Sequence, residues 1–63
     1  MQKNARGYVQ DSCEALNNAA SCLQDALQTV EKTHNRQRIE SSLQAVQSAI
    51  SQCISTEQAL SQE

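Results

Sequence analysis

Large apolar residues recur along the chain in two series whose steps are three and four residues. The first series, the α1 stripe, consists of Val9, Cys13, Leu16, Ala20, Leu23, Leu27 and Val30. The second, the α2 stripe, consists of Ile39, Leu43, Val46, Ile50, Cys53 and Leu60, with Glu57 in its remaining slot. This spacing places each series on one side of a helix, as in the heptads of coiled coils. The pattern therefore predicts two amphipathic helices.

The two stripes do not share one helical register. Extension of the first stripe past Val30 reaches positions 34, 37, 41 and 44, which are all polar. The second stripe is displaced by two residues from this extension. Two residues correspond to about 200° around a helix at about 100° per residue. A straight helix would therefore carry its two apolar stripes on opposite sides, whereas a hairpin lets them face each other. We predict an all-α antiparallel helical hairpin with two helices of about 25 residues each, an estimate from the stripe lengths.

The predicted turn lies at about residues 33–35, although the segment contains neither Gly nor Pro. Asn35 tolerates the left-handed conformation that ends many helices, and Thr33 or Asn35 can cap the helix that follows. The alternative is a bent continuous helix within a longer coiled coil. The predicted boundaries are a single domain over 1–63, a first helix over about 6–32 and a second helix over about 36–61.

Small residues form a further stripe beside each large one, again in steps of three and four. These small-residue stripes are Ser12, Ala15, Ala19, Cys22 and Ala26, and Ser42, Ala45, Ala49, Thr56 and Ala59, with Gln52 as an interruption. Together, the large and small stripes are wider than one partner helix can cover. We therefore predict that two hairpins dimerise into a four-helix bundle. The expected dimer or partner interface is Ala15, Ala19, Cys22, Ala26, Ser42, Ala45, Ala49 and Ala59. The alternative is that alanine serves only as a good helix former on an exposed surface.

Composition and charge narrow the classes of partner. The net charge is −2, which provides no broad attraction for nucleic acid or anionic lipid and disfavours nucleic acid as a partner. No apolar run approaches the roughly 20 residues that cross a bilayer. The first residues contain no hydrophobic signal region, so we expect a cytoplasmic protein that does not enter membranes.

The three cysteines are an odd number without zinc-finger spacing, which favours free thiols in a reducing compartment. The predicted helix pairing sets Leu16 beside Cys53 and offsets Cys13 from Cys53 by about one helical turn. We therefore expect buried free thiols that act as small hydrophobic side chains. A redox or metal-binding role is the alternative.

A basic cluster marks the predicted turn: Lys32, His34, Arg36 and Arg38. It is either a solvated helix end or a candidate anion contact for phosphate, RNA or an acidic protein surface. No Gly-rich phosphate loop is present, and a hairpin has no concave pocket in which to assemble a catalytic triad. We assign no catalytic, cofactor-binding or metal-binding residues, and expect neither enzyme activity nor a cofactor.

Taken together, these features predict a small non-enzymatic protein-interaction module, a regulator or adaptor that acts as a helical-hairpin homodimer and binds another protein. Two alternatives from other classes stay open at this point. One is a nucleic-acid-binding hairpin that uses the basic turn, and the other is a thiol redox or metal-binding protein.

Overall fold

Two antiparallel α-helices make up the fold in the computed structural model, which describes residues 4–62. Helix α1 spans Ala5–Thr29 and helix α2 spans Thr33–Leu60, with residues 30–32 as the connection. These two helices are the only regular elements in the described part of the chain. The molecule measures 47 × 22 × 11 Å, so it is one helix thick. The predicted all-α helical hairpin is thereby confirmed.

The two large stripes face each other and form the seam between the helices. Every position of both stripes is at least half-buried, including Glu57. Cys13, at 8 % exposed, is the only buried residue among residues 4–62. Outside the stripes, the half-buried residues of the described chain are Gly7, Ala19, Ala26 and Ala49. The heptad pattern therefore located the packed surface correctly, but two helices alone leave the seam incompletely covered.

The N-terminus of α1 is closed by a side-chain cap. The Gly7 backbone N–H donates to Asn4 Oδ1 at 2.8 Å, which satisfies one of the free donors in the first helical turn. At the other end, Val30 leaves the helix in an extended conformation, and its N–H still donates to the Ala26 carbonyl at 2.9 Å. Helix α1 therefore ends three residues earlier than the predicted boundary at about 32.

The turn is at residues 30–32, and the predicted position at 33–35 is wrong. Residues 33–35 instead form the first turn of α2. The prediction relied on a left-handed residue such as Asn35, but no non-glycine residue in the described chain has a positive φ. The end of α1 is stabilised from α2 instead, because Arg36 donates from Nη1 to the Leu27 carbonyl at 3.1 Å and from Nη2 to the Val30 carbonyl at 3.5 Å. A basic side chain here satisfies carbonyls that have no partner within α1.

The earlier turn changes which residues face each other. Gln10 Nε2 donates to Glu57 Oε1 at 3.0 Å, and Cys13 lies opposite Cys53 with a Cα–Cα distance of 5.7 Å. The expected pairing of Leu16 with Cys53 is therefore shifted by three residues of α1, close to one helical turn.

The position of the turn can be tested by insertion of four residues, Gly-Ser-Gly-Ser, between Glu31 and Lys32. We expect helicity to persist and stability to fall by only about 1 kcal/mol, because loop-closure entropy costs about 0.6 kcal/mol per doubling of loop length. The same insertion between Gln47 and Ser48 is the matched control and should abolish most of the helical structure. Thermal melts followed by circular dichroism make the comparison. Equal losses from the two insertions would show that residues 30–32 do not form a turn.

Candidate interaction face and inter-helix disulfide

The two small-residue stripes lie on the same broad face of the hairpin. Antiparallel helices with equally spaced stripes are related by an approximate twofold axis normal to the plane that contains both helices. Such an axis carries each position of α1 to an equivalent position of α2 on the same face. Ser12 follows Val9 by three residues, as Ser42 follows Ile39, so the stripes are equivalent. We call this surface the small-residue face: Ser12, Ala15, Ala19, Cys22, Ala26, Ser42, Ala45, Ala49, Thr56 and Ala59.

Burial across this face is graded from the seam outwards. Ala19, Ala26 and Ala49 are half-buried, as expected for the members nearest the opposite helix. The remaining members are exposed: Ser12, Ala15, Cys22, Ser42, Ala45, Thr56 and Ala59. The face is therefore a shallow and accessible surface made of short side chains, and it includes every residue predicted for the interface.

The hydroxyl groups on this face are already hydrogen-bonded within their own helices. Ser12 Oγ donates to the Tyr8 carbonyl at 3.1 Å, and Ser42 Oγ donates to the Arg38 carbonyl at 3.1 Å. Thr56 Oγ1 donates to the Gln52 carbonyl at 2.9 Å. Because each donor is satisfied four residues back, its burial under another helix would leave no unpaired O–H group.

Charge is absent from the small-residue face. None of its members is Asp, Glu, Lys, Arg or His, and α2 has no charged residue between Glu40 and Glu57. Protein-binding surfaces are depleted in Lys, Glu and Asp relative to the rest of a protein surface. The face is therefore compatible with burial against another apolar surface.

A disulfide joins Cys13 and Cys53 across the seam. The Cα–Cα distance of 5.7 Å lies within the range that disulfides adopt. The expectation of free thiols is wrong for these two residues, because it followed from the misplaced turn and its shifted pairing. Disulfides persist mainly in oxidising compartments. Free thiols were one argument for a reducing compartment, and that argument does not apply to Cys13 and Cys53.

Cys22 is the free cysteine of the described chain, and it is exposed rather than buried. Its position on the small-residue face separates it from the disulfide, since it lies nine residues from Cys13 and about 180° around α1. Within residues 4–62, no group of three or more His, Cys, Asp or Glu side chains is placed to hold a metal ion. The described helices also include no stretch long and apolar enough to span a bilayer.

The basic residues near the turn do not form one site. All four of them, Lys32, His34, Arg36 and Arg38, are exposed. Arg36 also donates to two backbone carbonyls, those of Leu27 and Val30, at the end of α1. Arg38 lies two residues after Arg36, so the two side chains leave α2 about 200° apart. The basic residues are therefore close in sequence, but their side chains leave α2 in different directions, and Arg36 stabilises the end of α1.

The open end of the hairpin, opposite the turn, has two shallow depressions. One has a volume of about 270 Å³ and is lined by Asn4, Ala5, Arg6, Leu60 and Ser61. The other has a volume of about 220 Å³ and is lined by Arg6, Ile54, Glu57, Gln58 and Ser61. The two large apolar residues that stay exposed in the described chain, Tyr8 at 56 % and Ile54 at 47 %, are also in this half of the molecule.

Sequence reasoning missed the disulfide and the arginine contact, although signals for both were present. Cys13 and Cys53 both occupy the large stripes, and a pairing shifted by three residues of α1 places them opposite each other. Arg36 is close enough in sequence to the end of α1 to donate to its carbonyls, but its charge led to the prediction of an anion contact instead. No family model, curated protein or solved structure matches this chain.

Proposed function

We propose that the hairpin is a non-enzymatic protein-interaction module, a regulator or adaptor, that works as a homodimer. In this proposal, two copies pack their small-residue faces together to form a four-helix bundle. The observation that carries it is the position of both small-residue stripes on one uncharged face of the hairpin.

Short side chains favour this mode of association because they let helices approach closely. Residues such as Ala15 and Ala45 place little bulk between two facing layers of helices, so backbone and seam atoms of the second copy can come near. The internal hydrogen bonds of Ser12, Ser42 and Thr56 remove the desolvation cost that free hydroxyls would add.

The incomplete burial of the seam gives the association a driving force. Leu16, Leu23, Val46 and Ile50 remain half-buried in the single hairpin, and their remaining apolar surface is in contact with water. A second hairpin against the small-residue face would cover part of this surface, at roughly 25 cal/mol per Å² of apolar area removed from water. A chain of 63 residues has a small core of its own, and oligomerisation is a common source of stability at this size.

The test is sedimentation equilibrium at micromolar concentration with the parent and two charge variants. We expect the parent to sediment at twice the 6.9 kDa mass of the chain. Ala45→Lys adds a cation to the small-residue face and should weaken the dimer at least about tenfold, which corresponds to 1.4 kcal/mol. Gln47→Lys adds the same cation about 200° away on α2 and should leave the dimer unchanged.

Intact mass under denaturing conditions shows whether any dimer is held by a Cys22 cross-link rather than by the face. A folded parent that stays at the mass of one chain throughout the micromolar range would contradict the proposal. Equal weakening by the two lysine variants would instead mean that the dimer uses a different surface.

A further inference from the structure

The two helices pack unequally on the two sides of the disulfide. On the side towards the turn, every seam position between Leu16 and Ile50 is Leu, Ile, Val or Ala. On the other side lie residues 5–12 and 54–60, which we call the distal end. There, one seam position is Glu57, and its contact across the seam is the side-chain hydrogen bond from Gln10.

The distal end also has depressions in its surface. Both depressions, of about 270 Å³ and about 220 Å³, are lined mainly by residues of this part of the chain. Val9 and Leu60 are the half-buried apolar members of the large stripes there, and the third stripe position is the polar Glu57. Local opening is easiest in segments with few buried apolar contacts.

The disulfide is placed at the boundary between these two regions. It joins the most buried residue of the described chain, Cys13, to Cys53 at a Cα–Cα distance of 5.7 Å. It closes a loop whose ends are 40 residues apart in sequence, so it strongly restricts the separation of the helices.

We propose that the Cys13–Cys53 disulfide is a redox clamp on the distal end of the hairpin. In the oxidised chain, the distal end is closed. When a dithiol reductant cleaves the disulfide, the distal end opens while the apolar seam near the turn stays paired. This inference concerns a single chain and does not rest on the proposed dimer.

The cleavage is an ordinary two-step thiol–disulfide exchange with a dithiol. A thiolate of the reductant attacks the Sγ of Cys53, which is the less buried of the two residues, and the Cys13 thiolate leaves. The second thiol of the reductant then displaces Cys53 from the mixed disulfide. Two electrons pass to the protein, the reductant becomes a disulfide, and its two protons end on the sulfurs of Cys13 and Cys53. Oxidation by a small-molecule disulfide reverses the exchange.

Reduction also creates a donor beside an existing acceptor. Cys53 Sγ lies 3.5 Å from the Val9 carbonyl oxygen, a contact that becomes a weak S–H hydrogen bond only when Cys53 carries a proton. That carbonyl lies within the backbone hydrogen-bonding pattern of α1. The new S–H bond is weak, so it replaces little of the restriction that the disulfide placed on separation of the two helices.

The experiment uses the full chain with Cys22→Ser, which prevents exchange with the exposed thiol, at one fixed concentration. Reduction with dithiothreitol should lower Tm by about 15–30 °C, since a loop of this size contributes several kcal/mol and each kcal/mol shifts Tm by about 4–8 °C. Hydrogen exchange should accelerate at least about tenfold more at residues 5–12 and 54–60 than at residues 20–27 and 39–46.

The matched control is the triple variant Cys13→Ser, Cys22→Ser, Cys53→Ser, which should not respond to reductant and should melt near the reduced parent. Three reactive thiols in the denatured wild-type chain after treatment with glutathione disulfide would overturn the proposal, because the clamp would not form. A Tm shift below about 4 °C on reduction would overturn it as well. Acceleration of exchange that is uniform along both helices would show global unfolding rather than a distal opening, and would also overturn it.

Discussion

Replacement of Ile50 with Ala should lower the free energy of unfolding by about 2–4 kcal/mol, and Leu23→Ala should do the same from the opposite helix. Both residues are half-buried in the middle of the seam. Truncation of such side chains typically costs about 2–5 kcal/mol, and the lower part of that range applies where burial is incomplete. A chain of 63 residues has about 3–9 kcal/mol of stability in total, so either variant should lose a large share of it and melt at a clearly lower temperature.

Ile54 provides a matched control one helical turn further along α2. It is the same residue type but 47 % exposed, so Ile54→Ala should cost less than about 1 kcal/mol. Urea and thermal unfolding followed by circular dichroism measure both variants. Equal losses at positions 50 and 54, or an unchanged melting point for Ile50→Ala and Leu23→Ala, would contradict the assignment of the seam.

Glu57→Leu should raise the free energy of unfolding by about 1 kcal/mol. Position 57 lies on the α2 stripe and is half-buried, so a leucine there would extend the apolar seam into the distal end. Burial of a leucine contributes about 1.5–3 kcal/mol when complete, and part of that gain offsets the lost hydrogen bond between Gln10 and Glu57. The corresponding rise in Tm is about 4–8 °C.

Glu57→Gln is the control for this effect, because it keeps an oxygen that accepts from Gln10 but adds no apolar surface. Its stability should stay within about 0.5 kcal/mol of the parent. Denaturant titrations of the oxidised chain compare the two variants. A leucine variant that is no more stable than the glutamine variant would mean that the distal part of the seam does not exclude water from position 57.

Only part of the candidate interaction face could be predicted from the sequence. The membership of the small-residue stripes follows from their spacing, but the relation between the two stripes requires the antiparallel arrangement of α1 and α2. The same is true of the back-bonded hydroxyls of Ser12 and Ser42, whose rotamers depend on the completed helix. The sequence predicted a buried Cys22 thiol, whereas Cys22 is exposed in the single hairpin, which has no third helix over the small-residue face.

The sequence by itself determined the two helices and the residues that line the seam, because a period of three and four residues has one geometric solution on a helix. It did not determine where the chain turns, since the segment from Val30 to Asn35 has neither Gly nor Pro to favour one position. That choice depends on contacts between the helices, among them the bonds from Arg36 to the end of α1. The position of the turn sets which residues of the two helices face each other, and in this hairpin Cys13 rather than Leu16 lies opposite Cys53. For this reason, only the tertiary structure decided that Cys13 and Cys53 form a disulfide.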